Sequence, residues 1–169
     1  MTLVIEDGTG VTGANSYVTA EAVRAYADLR GAILPESDSE LEALIVLACD
    51  WVDSFRSAFQ SRKTDPEQDR QFPRWRVVTD GYIWPNDSIP SMVISAQSQA
   101  VVDSATGVSL TTTGEAQVKR EKVDKIEVEY FEKTTGTLTS TGGSITAEKL
   151  LEPLFSATRI GFGISTERY

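Results

Sequence analysis

The chain has 169 residues, with 16 Lys and Arg against 25 Asp and Glu, for a formal net charge of −9. One domain accommodates that length, and 40 % apolar with 24 % charged residues is the ordinary composition of a globular chain with a real core. It contains no histidine, which excludes a Ser-His-Asp or Cys-His site within one chain, and its single cysteine, Cys49, excludes an intrachain disulfide and a cysteine-based zinc cluster.

The first residues, MTLVIEDGTG, carry neither the basic start nor the long apolar core of a secretory signal. No apolar run approaches the roughly 20 residues that span a membrane, so a soluble chain with no membrane partner is expected, and one lone thiol fits a reducing compartment. Residues 1–18 read as an extended arm. Within it, Gly8-Thr-Gly-Val-Thr-Gly13 is a formal match to the GxGxxG dinucleotide fingerprint, after an apolar Leu3-Val4-Ile5 and with Asp28 twenty residues past Gly8. The match is rejected. Such a loop must open a helix whose N-terminus faces the pyrophosphate, whereas here the helix signal waits until Thr19, and Glu6 and Asp7 would stand beside the phosphates. A glycine-rich turn in the arm is the simpler reading.

Four helices are predicted. Thr19 caps the first, Ala20 to Arg30, with Glu21 in its first turn, Val23 and Tyr26 on its buried stripe and Gly31 past its end. Ser39 with Glu42 fits a capping box for the second. Its stripe of Leu41, Leu44, Ile45, Ala48, Val52, Phe55 and Phe59 runs over some five turns, flanked by Cys49 and Trp51. A third starts at Pro90 and stops near Gly107. Its many small residues suggest close packing against another element or subunit. A fourth, Ala147 to Phe155, contains Pro153, which should interrupt it. Between the last two, Ile126, Val128 and Tyr130 alternate with polar neighbours opposite a weaker strand at Val118 to Val123. We read a β-hairpin over 117–133, then a small, uncharged, mobile loop over 134–144 and a tail over 156–169. The fold expected is mostly α, a small four-helix bundle with a protruding β-hairpin, in one domain over 1–169.

Few residues carry candidate chemistry. Asp50 and Asp53, three apart on helix two, with Asp28 and Glu21, could be imagined as a magnesium or calcium cluster, but no calcium-loop spacing occurs and a solvated helix face explains them. No metal and no cofactor is expected. Cys49 borders a buried stripe and reads as a small core hydrophobe. Gln71-Phe-Pro-Arg-Trp-Arg76 interleaves aromatics with arginines, so Arg74, Trp75 and Arg76 are candidate single-strand nucleic-acid contacts. The competing reading is a Pro-ordered loop that packs Phe72 and Trp75 on the core, and the acidic whole favours it.

Charge is unevenly spread. Residues 1–55 hold ten acids and two bases, residues 56–76 hold six bases and three acids, and residues 117–133 hold five of each. So dense a balanced set on one hairpin suggests inter-subunit contacts through Lys119, Arg120, Lys122, Lys125, Glu127 and Glu129. The tail places Ile160, Phe162, Ile164 and Tyr169 among small residues, with Arg159 and Arg168, and reads either as a docking segment or as a tail that folds back on its own bundle.

Several segments in order carry a resemblance: Glu6-Asp-Gly-Thr-Gly-Val-Thr-Gly-Ala-Asn-Ser-Tyr17, the helix ending Arg30-Gly31, Ala43-Leu-Ile-Val-Leu-Ala-Cys-Asp50, Phe72-Pro73-Arg74 where the family has Trp-Pro-Arg, Ile89-Pro90, Glu121-Lys-Val-Asp-Lys-Ile-Glu-Val-Glu-Tyr130 and Leu150-Leu-Glu-Pro-Leu154. Together they resemble the head–tail connector (adaptor) proteins of tailed bacteriophages, a family also labelled DnaT-like single-stranded-DNA-binding protein. The resemblance implies a structural protein of the virion neck, assembled in the host cytoplasm, without catalysis. It implies a homo-oligomeric ring of about twelve subunits beneath the portal protein, joined to a downstream tail or head-completion protein, with genomic DNA passing through its lumen. The tail residues above would then dock on the portal. The alternative is a DnaT-like single-stranded-DNA-binding protein of phage replication. Acidity favours the connector, because a single-strand binder needs a continuous basic track.

Overall fold

A computed structural model describes residues 2–110 and 143–156, together with the backbone of the short paired strands at 121–123 and 126–128. The described chain is mostly helical, with four α-helices: α1 Ala20–Asp28, α2 Asp38–Ser54, α3 Ser91–Ala105 and α4 Ile145–Leu151. Two antiparallel strand pairs accompany them, β1 Val78–Thr79 with β2 Tyr82–Ile83, and β3 Glu121–Val123 with β4 Ile126–Val128.

Local chemistry sets the helix ends. Thr19 Oγ1 accepts from the Ala22 N–H at the start of α1. The helix closes two residues before the expected Arg30, because Gly31 takes the left-handed φ of 64° and the Ala32 N–H returns to the Ala27 carbonyl. The predicted capping box of α2 is displaced. Ser37 occupies the N-cap, the Leu41 N–H bonds its carbonyl, and the Ser37 and Ser39 hydroxyls meet each other at 3.0 Å. α2 ends at Ser54 and passes into a 3₁₀ turn, Phe55–Ser57, so the apolar spacing that pointed to Phe59 crosses a helix end. Pro153 interrupts the fourth helix as expected: α4 stops at Leu151 and a 3₁₀ turn, Glu152–Leu154, follows.

α3 packs against α1, α2 and α4. Its buried face carries Val93, Ala96, Gln97, Ser98, Ala100 and Val101, whose small members let neighbouring backbones approach, so the chain's own helices meet this face. The core gathers Leu41, Ile45 and Val52 of α2, Val93 and Val101 of α3, and Leu151 and Leu154. Cys49 and Trp51, expected at the margin, lie inside it, whereas Leu44 is only half-buried. Gln97 is fully buried and pins the arm to the helices: its Oε1 accepts from the Tyr17 N–H, and its Nε2 donates to Ser16 Oγ and the Ile45 carbonyl.

The hairpin predicted between helices three and four is present as β3 and β4, with Val123 opposite Ile126. The β1–β2 hairpin was not anticipated, although Asp80-Gly81 between its strands is the strongest short hairpin signal. Both residues have positive φ, 52° and 82°, as such a turn demands.

Candidate nucleic-acid interface

The glycine-rich arm is closed to phosphate by the chain itself. Glu6 is buried, and its carboxylate accepts from the N–H groups of Gly8, Gly10 and Val11, each at 2.9 Å. A ring of backbone donors is an anion cradle, and here Glu6 is the anion. Asp7 accepts from the N–H and hydroxyl of Thr9, and that hydroxyl bond first, then the N–H bond, lowers its pKa. Gly8 must be glycine twice over. Its φ is 106°, and a Cβ there would lie 2.3 Å from the Asp87 carbonyl oxygen.

The carboxylates of α2 are engaged with an arginine. Arg70 Nη1 lies 2.9 Å from Asp50 Oδ1 and 3.4 Å from Asp53 Oδ2, and its Nε donates to the Ala14 carbonyl. Asp53 Oδ1 accepts from the Tyr17 hydroxyl at 2.6 Å, and the same hydroxyl oxygen accepts from the Gln71 and Phe72 N–H groups. Burial pushes the Asp53 carboxyl up to about 6 against the pull of the Tyr17 hydrogen bond and of Arg70. Burial and then the Asp53 charge raise Tyr17 well above its ordinary value, which keeps it a donor. Burial likewise pushes Cys49 up to about 12, leaving an inert thiol. Asp50, Asp53, Arg70 and Gln71 line an open groove of about 480 Å³ with Arg56 and Asp69. Glu21 and Asp28 are exposed on α1, and no group of three potential metal-ligating side chains occurs among the described residues.

The segment 71–76 divides into strut and surface. Phe72 is in the core, edge-on to Phe59 at 4.9 Å and Tyr17 at 6.4 Å between centroids. Arg74 is buried beside it, donating from Nε to the Gln60 carbonyl at 2.8 Å, from Nη2 to the Ser61 carbonyl at 2.6 Å and from Nη1 to Gln71. Four of its guanidinium hydrogen bonds go to carbonyl oxygens of neighbouring segments, which makes it an internal strut. Trp75, which the packing reading put inside, is 45 % exposed. Arg76 is also exposed, at a positive φ of 50°.

These two residues lie beside a surface the sequence reading missed. The Trp75 N–H bonds the Arg62 carbonyl, and Lys63 faces Arg74 in an antiparallel bridge. The Gln60 side chain holds both the N–H and the carbonyl of Val78. The Trp84 N–H extends the β1–β2 ladder to the Val77 carbonyl, and its indole N–H donates to Thr79. On this braced hairpin Tyr82, opposite Thr79, is 78 % exposed, and the paired Val78 and Ile83 are exposed as well. Arg62 and Arg76 make no ion pair with any described residue. Aromatic faces with unpaired guanidinium groups can stack bases and neutralise phosphates.

The candidate inter-subunit residues Lys119, Arg120, Lys125 and Glu129, and the side chains of Lys122 and Glu127, lie outside the described residues. So do the candidate portal-docking residues Arg159, Ile160, Phe162, Ile164, Arg168 and Tyr169. No helix among the described residues is long and apolar enough to cross a membrane.

A family model described as "Putative DnaT-like ssDNA binding protein" matches residues 1–169. No curated protein and no solved structure matches. The family match overturns the head–tail connector as the main resemblance, and with it the structural role in the virion; the portal protein and the ring lose their support. The acidity that favoured the connector misled because it averages over the whole chain. The net negative charge concentrates in residues 1–55, with ten acids against two bases, while Trp75, Arg76 and Arg62 lie on a segment of opposite sign.

Proposed function

The chain belongs to the family of DnaT-like single-stranded-DNA-binding proteins, and from that premise we propose that it binds single-stranded DNA through Trp75, Tyr82, Arg62 and Arg76. Bases stack on the two aromatic rings, and the two guanidinium groups meet the phosphates. The role is binding without catalysis. The observation that carries the reading is the pair of exposed rings, Trp75 at 45 % and Tyr82 at 78 %, on a hydrogen-bonded hairpin and loop beside arginines with no described ion-pair partner.

The short basic track sets the character of the binding. Two phosphate contacts give a log–log salt slope near −1.4, taking about −0.7 per contact on a single strand. Fluorescence anisotropy with labelled oligo-dT tests this. Trp75→Ala/Tyr82→Ala is expected to weaken binding at least tenfold, from about 1–3 kcal/mol of stacking per base. Arg62→Ala/Arg76→Ala is expected to flatten the salt slope. No binding at low salt, or binding untouched by all four changes, refutes the proposal.

A further inference from the structure

Among the described residues, three that are not glycine have a left-handed φ: Ser61 at 59°, Arg76 at 50° and Asp80 at 52°. All three border the proposed single-strand site. Ser61 precedes Arg62, Asp80 lies two residues before Tyr82, and Arg76 is itself one of the proposed contacts. Asp80 belongs to the Asp-Gly turn of its hairpin, and Ser61 is fixed through its carbonyl by the Arg74 strut. Arg76 has no such turn. A residue with a Cβ keeps this conformation only where its surroundings impose it. Here those surroundings are hydrogen bonds. The Trp75 N–H on one side is tied to the Arg62 carbonyl, and the Val77 carbonyl on the other to the Trp84 N–H, both at 2.8 Å. Between them the Arg76 N–H donates to Asn86 Oδ1, also at 2.8 Å. With both flanking residues tied, the φ of Arg76 chiefly sets the direction of its own side chain. Asn86 is anchored in turn, because the next residue, Asp87, sets its carbonyl against Gly8 too closely for a Cβ to fit.

Aim matters here because positive charge is scarce. The same segments expose Asp80 and Asp87, and neither forms an ion pair with Arg62 or Arg76. Asp87 directly follows Asn86, so a carboxylate able to compete with a phosphate for Arg76 is next in sequence to the residue that clamps it. We propose that Asn86 is a positioning residue of the single-strand site, holding Arg76 in its left-handed conformation so that the guanidinium meets a phosphate and not Asp87. Asn86 acts through Arg76 and makes no contact with the strand itself. The role rests on the function proposed above. It also has a signature of its own. Asn86 carries no charge, yet its removal should change the salt dependence of binding, which a bracing residue without an arginine to aim would leave alone.

Anisotropy of labelled oligo-dT with the full chain over a salt series reads that signature. The wild type is expected near a log–log slope of −1.4 and Arg76→Ala near −0.7, taking about −0.7 per phosphate contact. Asn86→Ala should flatten the slope to about −0.7 as well. Asn86→Ala/Arg76→Ala should bind no more weakly than Arg76→Ala alone, because one residue acts through the other. Asn86→Leu, which keeps the volume and loses the acceptor, should match Asn86→Ala. Gln60→Ala is the control. It too removes an uncharged amide that braces the site, but it acts through Val78 and the Tyr82 hairpin, so it should weaken binding and leave the slope near −1.4. Amide exchange reads the clamp without DNA: the Arg76 N–H should exchange faster in Asn86→Ala than in the wild type, with unchanged circular dichroism. A slope that stays near −1.4 in both Asn86 variants, additive losses in the double variant, or equal exchange of the Arg76 N–H overturns the positioning role and leaves the function standing. A wild type that binds no oligo-dT refutes the function and the positioning role together.

Discussion

Arg74→Ala and Trp75→Ala/Arg76→Ala change neighbouring residues and should have opposite consequences. The Arg74 guanidinium donates to carbonyls of Gln60, Ser61 and Gln71. Truncation removes charge-assisted bonds and leaves those acceptors short of partners at about 1–3 kcal/mol each. Water entering the vacated space recovers part of this, so the net expected loss is about 3–5 kcal/mol. For a chain of this length each kcal/mol shifts Tm by roughly 2–4 °C, which puts the change near 10 °C. Trp75 and Arg76 are exposed, and their replacement should stay within about 0.5 kcal/mol in stability. Urea unfolding followed by circular dichroism measures the stability of each variant. Anisotropy with oligo-dT, at a temperature where all are folded, measures binding. Arg74→Ala should be unstable yet bind when folded, and Trp75→Ala/Arg76→Ala should be stable and bind weakly. An Arg74→Ala protein with wild-type stability and lost binding would falsify the assignment of Arg74 as a strut.

Asp53→Asn probes the buried carboxylate. Burial holds its folded pKa at about 6, above the ordinary 3.8 of an aspartate, so the folded chain holds this proton more tightly than the unfolded one. The cost of ionising it is absent below pH 4 and complete above pH 6, about 3 kcal/mol at 1.36 kcal/mol per pKa unit. Wild type should therefore lose that much relative to Asp53→Asn between pH 4 and 7, and a flat difference in urea midpoints across that range sinks the reasoning. Gly8→Ala forces a Cβ onto the Asp87 carbonyl at a positive φ and should cost about 2 kcal/mol or more, seen as a lower urea midpoint; a neutral result means the arm does not pack as described. Ile45→Ala, fully buried, should cost about 2–5 kcal/mol and the half-buried Leu44→Ala clearly less, with equal losses in denaturant unfolding counting against the helix orientation.

Periodicity and capping made the helices legible. The apolar spacing from Leu41 to Val52, Thr19 before α1 and Pro153 inside the fourth helix each pointed to what the structure contains. Ends were less legible where equivalent polar residues compete. Ser37 and Ser39 are both good caps, and the choice depends on backbone placement rather than residue type. The site was half legible. The alternation of aromatics and arginines marked 71–76, but nothing local distinguishes Arg74 from Arg76. The difference arises from the Gln60 and Ser61 carbonyls, brought in from 14 and 13 residues away. Tyr82 was missed although Asp80-Gly81 announces its hairpin, because two-residue strands offer no alternation to read.

The Gln97 amide joins Ser16 and Tyr17 to Ile45 across a separation of up to 81 residues. Its partners exist only once α2 and α3 lie side by side, so the arm cannot lock before the helices have docked. The Tyr17 N–H, buried on that amide, is then released to solvent exchange only when the docking fails. A single arm proton thus reports on the helix pair, and the glycine-rich turn before it opens and closes within a boundary that Gln97 sets.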